Sequence, residues 1–300
     1  MILVTGAAGL AGSAVIREFA RQQLPVRALI RNPAKAAMFD GLATVEVVEG
    51  DMLRPQTLGA AFDGVDRALM ISTAVVEMVD TQCTFIEAAK AAGVSHIVKF
   101  SGVDSGIGFD PNAFRASRWH AHIERYLEGS GLAWTHLRPS QFMQFYLPGT
   151  VTGIDPAKRE LVMPIGASEL APIDIEDIAK VAVALMRGGG HEGNSYYMSG
   201  PQALTMTDVV EQISDATGTP FRYTDVSFEQ KRNELAAAGL PPVALDLLDE
   251  LFKERRRCTK SAVDLNTHKT FGIEPTTFSQ FARRHATAFL SQPGSVATIS

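Results

Sequence analysis

Residues 2–12 read Ile2-Leu3-Val4-Thr5-Gly6-Ala7-Ala8-Gly9-Leu10-Ala11-Gly12. A short apolar run that ends on Thr-Gly and passes into a helical pattern predicts a buried strand, a tight turn and a helix. Each glycine of this G-x-x-G-x-x-G spacing has its own task. Gly6 permits the turn off the strand, Gly9 admits close approach of a pyrophosphate, and Gly12 lets the helix lie against the sheet. The helix start adds unpaired N–H groups and a partial positive charge, which favour an anion. The expectation is a dinucleotide cradle running from Gly6 through Ala7, Ala8, Gly9, Leu10 and Ala11 to Gly12. The plainer alternative is an ordinary strand-to-helix turn.

The same alternation continues outward. After a helix over 13–23, strands are expected over 26–30, 44–49, 67–72, 96–101 and 134–138. Helices over 55–62, 76–92 and 114–128 separate the later ones. Strands spaced by helices imply βαβ units and an α/β fold, a doubly wound parallel Rossmann sheet covered on both faces. Beyond about residue 150 the rhythm changes, which suggests a smaller C-terminal α+β substrate lobe. A hairpin or irregular excursion is expected over 153–166. A helix over 175–186 follows, capped by Asp174 and stopped at 188–190, then a strand over 194–199. Further helices are expected over 207–217, 228–238 and 243–257, the last two split by Pro241 and Pro242. One last helix is expected over 278–290. The division implied is a dinucleotide-binding domain over 1–150, continued by about 171–200, with the lobe over 151–170 and 201–291 and a flexible tail over 292–300.

Composition supports a large folded chain. Of 300 residues, 46% are hydrophobic and 20% charged, and 28 basic against 33 acidic side chains give a net charge of −5. A chain of this length buries roughly 75% of its unfolded surface, so its core needs no covalent staples. The acidic balance argues against broad nucleic-acid binding. The basic run Lys253, Glu254, Arg255, Arg256, Arg257 reads as favourable charge at a helix C-terminus. Two cysteines, Cys83 and Cys258, are too few for a disulfide framework and suit a cytoplasmic location. No apolar stretch of about 18 residues is present, so no membrane span is expected, and the opening residues read as a strand, not a signal peptide. No Cys-x-x-Cys or Gly-x-Ser-x-Gly occurs and the seven histidines are scattered, so neither a metal site nor a hydrolase elbow is expected.

The second strand bears on the cofactor. An acid that holds the ribose is expected about 20 residues past the glycine motif. Here the strand ends Ile30-Arg31-Asn32. A guanidinium at Arg31 can grip a 2′-phosphate in bidentate fashion, which predicts NADP(H) in preference to NAD(H). Asp51, after the third strand, is placed either to accept from an adenine amino group or to cap the helix starting near Pro55, with Met52 beside it.

Many reductases with such a turn carry Tyr-x-x-x-Lys on the helix after the fifth strand. None of the five tyrosines here has a lysine four residues on. His120 and Glu124 stand in that region, on one helical face. His120 is a candidate proton donor, and Glu124 beside it is expected to raise its pKa. The bland reading is a surface His–Glu pair. A ketone that takes up hydride becomes a localised alkoxide, which needs a strong acid or an oxyanion hole. Conjugated, electron-poor acceptors spread the charge and need less help. The sequence therefore favours quinones, cationic dyes, azo compounds or activated alkenes, with a small ketone or enone using His120 as acid as a third possibility.

Several local patterns carry a resemblance. The opening Thr5-Gly-x-x-Gly-x-x-Gly12, Arg31-Asn32-Pro33, Gly50-Asp51, Ala89-Lys90-x-Ala92-Gly93-Val94 and Leu137-Arg138-Pro139 resemble the NmrA-like atypical short-chain dehydrogenases. Val226-Ser227-Phe228-Glu229 and Ala238-Gly239-Leu240-Pro241 resemble the substrate lobe of the triphenylmethane reductase and quinone reductase branch, so the likeness covers nearly the whole chain. The resemblance implies NADP(H) in a cleft between the two parts, with the Gly6 to Gly12 turn on the pyrophosphate and Arg31 on the 2′-phosphate. It places Ser72 and Thr73 at the ribose, Ser101 and Gly102 on the nicotinamide side, and Pro139, Gln141 and Phe142 over the ring. Some relatives have Lys where this chain has His120. The implied activity is NADPH-dependent reduction of a small aromatic or conjugated acceptor by a monomer or homodimer. Other relatives are non-catalytic dinucleotide sensors that act through protein contacts, and this is the alternative function.

Overall fold

The computed structural model describes residues 1–102, 110 and 112–291; the tail over 292–300 lies outside the described residues. The first half alternates β1 (Ile2–Val4), α1 (Leu10–Arg21), β2 (Val26–Ile30), β3 (Val45–Glu49), α2 (Gly59–Phe62), β4 (Arg67–Met70), α3 (Met78–Ala91), β5 (His96–Phe100), α4 (Arg115–Glu128) and β6 (Ala133–Pro139). The second half comprises β7 (Glu160–Met163), α5 (Ile175–Arg187), β8 (Asn194–Met198), α6 (Met206–Thr217), β9 (Arg222–Asp225), α7 (Phe228–Ala237), α8 (Pro242–Arg257), α9 (Asn266–Phe271), α10 (Phe278–Arg284) and α11 (Ala286–Leu290).

Seven strands form one sheet in the order β3-β2-β1-β4-β5-β6-β8, every pair parallel. The chain runs outward from β1 to one edge, returns to β4 and runs to the other edge. The order therefore reverses between β1 and β4, where strand carboxyl ends splay to admit a ligand. Strands β2 and β5 are buried at every residue, as a sheet covered on both faces requires. On one face Val15, Ile16 and Phe19 of α1 and Ile178, Val181 and Leu185 of α5 share a core. On the other, Phe85 and Ile86 of α3 pack with Ile123 and Leu127 of α4.

A third core gathers Tyr146, Leu161, Met163, Val209, Ile213, Phe252, Phe278, Phe281 and Phe289. The 153–166 segment is an irregular excursion that turns back on itself through one antiparallel bridge, Asp155 against Glu160, and β7 then pairs in parallel with β9, Glu160 against Arg222 through Met163 against Asp225. The expected single helix over 278–290 is two, α10 and α11, meeting at His285.

Asp174 joins this third core to the sheet. It caps α5 by accepting from the Glu176 N–H at 3.1 Å, is fully buried, accepts from Gln144 Nε2 at 2.8 Å, and pairs with Arg284 of α10. Asp174→Ala removes a helix cap, roughly 1 kcal/mol, and strands a buried amide, roughly 1–3 kcal/mol. Arg284 is partly exposed and recovers water, so its loss adds little. Urea unfolding is expected to show a loss of about 2–4 kcal/mol from these two terms; a change below about 0.5 kcal/mol would remove Asp174 from this role.

Candidate active site

Because all seven strands run the same way, every loop after a strand reaches the same rim. The 5–9 turn follows β1, Arg31 follows β2, Gly50 and Asp51 follow β3, Ser72 and Thr73 follow β4, Ser101 and Gly102 follow β5, and Ser140 to Phe142 follow β6, whose last residue is Pro139. The expected site residues converge because the topology puts them there.

The turn is tight for a reason the backbone states. Gly6 has φ +57°, and a Cβ there would stand 2.8 Å from the Ile71 carbonyl oxygen. A Cβ on Gly12 would stand 2.2 Å from the Gly6 oxygen. Thr5, fully buried, ties the turn to β4 by donating to the Ile71 carbonyl and accepting from the Ile71 N–H, at 2.7 and 2.8 Å. Gly9, by contrast, is ordinary extended backbone, φ −84° and ψ 176°, and caps α1 without a side-chain bond. Ala7 and Ala11 are buried, while Leu10 is exposed at the rim.

Beside the turn lies a cavity of about 390 Å³ lined by Arg31, Glu49, Gly50, Asp51, Arg54 and Thr57. Arg31 is exposed there. Asp51 Oδ1 accepts from the Leu53 N–H at 3.0 Å and Oδ2 lies 3.8 Å from Arg54; the short helix at Pro55 has Arg54, not Asp51, at its N-cap and no side-chain cap bond. Glu49 comes beside Arg31 through the β2–β3 register, which sets it against Ile30, and Arg54 through the loop after β3, so neither is marked by local spacing. Met52 is buried and packs in the core on the α3 side.

Next along the rim, Ser72 accepts from Gln82 Nε2 at 2.8 Å, and Thr73 is exposed. Beyond β6, Phe142 meets Phe100 edge-on at 6.1 Å and stacks on Phe145 at 5.2 Å, which makes an aromatic wall. Pro139 and Gln141 are buried, and neither amide atom of Gln141 has a hydrogen-bond partner among the described residues. A buried primary amide left without partners costs free energy unless something else meets it.

The chemistry-bearing cluster sits at the end of β5. His120 Nδ1 lies 2.8 Å from Lys99 Nζ and 3.2 Å from Ser101 Oγ, and Lys99 donates to Ser101 Oγ at 3.3 Å. Lys99 is completely buried. Burial pushes its ammonium down to about 7, with the Glu124 carboxylate opposing and the Arg138 guanidinium adding to the shift. The His120–Glu124 expectation is corrected. Glu124 is held by Arg138 through two bonds of 2.9 and 2.6 Å, and the charges that act on His120 are those of Lys99 and Arg138. His120 is held well below its ordinary pKa, first by burial and then by the Lys99 and Arg138 charges. The ring is therefore neutral near pH 7. Its Nε2 faces Gly102, where a Cβ would stand only 3.2 Å away.

Lys99 was legible in principle. A lysine inside the fully buried strand His96-Ile97-Val98-Lys99-Phe100 is an anomaly that asks for a partner. The absence of Tyr-x-x-x-Lys drew attention to the helix alone, whereas this chain puts its lysine on the strand.

The chain is similar to known proteins over nearly its whole length. The NmrA-like family matches residues 1–282. An NAD(P)H azoreductase of Xenophilus azovorans is 36% identical over 290 residues, covering 96% of this chain and 99% of that protein. Among solved structures, the NADPH-dependent quinone oxidoreductase of Escherichia coli complexed with NADPH superimposes with a TM-score of 0.81 at 26% identity, covering 95% of this chain and 99% of that one. The triphenylmethane reductase of Citrobacter sp. complexed with NADP(H) has the same fold, with a TM-score of 0.81 at 23% identity over 95% of this chain and 100% of that one.

Proposed function

This chain belongs to the NmrA-like family, and from that premise we propose that it reduces quinones, azo compounds or triphenylmethane dyes with NADPH. It is an NAD(P)H-dependent oxidoreductase of the atypical short-chain type. The azoreductase relative acts, by its name, with NAD(P)H on azo compounds, and the quinone oxidoreductase structure holds NADPH. The observation that carries the substrate class is the cluster at Gly102: a neutral imidazole on a buried lysine, in place of a tyrosinate-forming pair.

The residues present fit the cofactor. The Gly6–Gly12 contact leaves no room for a side chain inside the turn, and α1 opens after Gly9 with no side-chain cap, so the first N–H groups of the helix receive the pyrophosphate. Arg31, with Arg54 across the same cavity, takes the 2′-phosphate. The unpartnered Gln141 amide and Ser101 serve the nicotinamide end. When bound, the nicotinamide supplies a hydride at this end of the rim. Phe100, Phe142 and Phe145 offer flat apolar surface to an aromatic acceptor. His120 offers one N–H for an acceptor that must also gain a proton. The third core and its helices form the substrate lobe in this reading. Among the described residues no helix is long and apolar enough to cross a membrane.

The test is oxidation of NADPH, followed at the reduced nicotinamide band, with a panel of quinones, azo dyes and triphenylmethane dyes. Turnover with at least one class is the expected result. Tight NADPH binding with no oxidation by any of them would overturn the reductase and favour a dinucleotide sensor.

A further inference from the structure

Lysine as an ammonium offers three donors and no acceptor. While Lys99 stays an ammonium, with Nζ 2.8 Å from His120 Nδ1, that ring nitrogen accepts, and the neutral ring then carries its proton on Nε2. Nε2 is the atom set against Gly102 at the rim. We infer that Lys99 is a positioning residue that locks His120 in the Nε2–H tautomer and refills it, so that the pair delivers one proton to acceptors that need one. This rests on the reductase reading above and assigns the proton path of that same site.

The step balances as follows. An acceptor such as a quinone takes up one hydride and one proton to become a hydroquinone. As the Nε2–H bond breaks and the acceptor O–H bond forms, Nδ1 takes a proton from Lys99 Nζ. The imidazole stays neutral and changes tautomer, and the ammonium becomes an amine. A solvent proton then binds Nε2 of the partly exposed ring, and the Nδ1 proton returns to Nζ. One solvent proton is consumed per turnover. A cationic triphenylmethane dye differs: hydride alone cancels its charge, and no proton is required.

The groups around Lys99 support a readily donated proton. Ser101 shares its strand end, Glu124 and His120 come from α4, Arg138 and His136 from β6, and Cys83 from α3. Glu124 and Arg138 neutralise one another, so burial decides the shift to about 7. The charged form is present below that pH and is lost as pH rises through it. Turnover of a proton-requiring acceptor should therefore fall on the alkaline side, while dye turnover should not follow the same limb.

The test compares wild type with Lys99→Met using 1,4-benzoquinone and crystal violet, each with NADPH, across pH 5.5–9. The quinone-to-dye ratio of kcat should fall at least about tenfold, within the usual range for general acid catalysis, and the alkaline limb for quinone should disappear. His120→Ala should give the same split, which guards against a folding defect peculiar to the first variant. Equal loss with both acceptors, or no change in the ratio, would overturn the proton path. Separately, ¹⁵N spectra of the His120 ring in the cofactor-free protein should show the Nε2–H form in wild type and a mixture in Lys99→Met. An unchanged tautomer in that variant would overturn the lock. If wild type turns over neither of these acceptors nor any azo dye, the reductase reading fails, and the ring spectra still decide the Lys99–His120 tautomer.

Discussion

Replacement of Gly12 by alanine is expected to cost this protein its cofactor and part of its stability. The added Cβ would meet the Gly6 carbonyl oxygen at 2.2 Å, the Gly6 carbonyl carbon at 2.7 Å and Ala7 Cα at 2.8 Å. All three are backbone atoms, so no side chain can swing aside. Either the turn opens or α1 tilts away from it. Tilting is resisted by Val15, Ile16 and Phe19, which are buried against the sheet and α5. Overpacking of this kind costs roughly 1–3 kcal/mol, and here the overlap is severe enough to expect about 2–4. The N–H groups at the start of α1 shift by a similar fraction of an ångström, and anion contacts depend steeply on distance. NADPH affinity is expected to fall by more than about a hundredfold, two or more charge-assisted bonds being lost. Fluorescence titration with NADPH measures this, and urea unfolding without cofactor measures the stability change. Gly59→Ala is the control, because nothing lies within 4 Å of a Cβ there. Affinity within about threefold of wild type in Gly12→Ala would sink the cradle, since so small a change is below one hydrogen bond.

This turn was also the most legible part of the sequence, and the reason is local. Gly6, Gly9 and Gly12 fall within one strand, one turn and one helix start, so spacing alone states their geometry. The alternation of buried strands and amphipathic helices was legible for the same reason, down to Asp174 as the cap of α5 and the break at Pro241 and Pro242. What stayed hidden depended on contacts distant in sequence. Strand β9, Arg222-Tyr223-Thr224-Asp225, has no apolar alternation, and its pairing with β7 is 62 residues away along the chain. His120 and Glu124 are true neighbours on a helix, but the partners that fix their charge, Lys99 and Arg138, come from β5 and β6. Helical spacing could not reveal that Glu124 was already committed to Arg138. Arg54 likewise sits 23 residues past Arg31 and joins it only through the loop after β3. Local geometry is thus legible where one element holds it, and hidden where the sheet assembles it.

Arg31 brings these two scales together, since its position is local and its surroundings are not. Changing Arg31 to aspartate should reverse the preference between NADPH and NADH. The side chain is exposed, follows the last residue of β2 and lines a cavity with Arg54. A charge-assisted contact to a 2′-phosphate contributes about 1.5–3 kcal/mol, or roughly 10- to 150-fold in affinity. Aspartate removes that contact and adds repulsion toward the phosphate. It also supplies the acceptor that a ribose 2′-hydroxyl needs, which NADH presents and NADPH does not. The ratio of NADPH to NADH affinity is therefore expected to fall by about 100-fold or more in Arg31→Asp, and by about tenfold or more in Arg31→Ala with NADH nearly unchanged. Arg54→Ala should have a smaller effect, because Arg54 already leans on Asp51 at 3.8 Å and Glu49 lines the same cavity. Raising salt should narrow all these differences, as the contacts are at the surface. Titration of each variant with both cofactors decides the matter. Equal weakening of NADPH and NADH would mean that Arg31 shapes the loop and does not touch the phosphate, and Arg54 would then be the residue left to hold it.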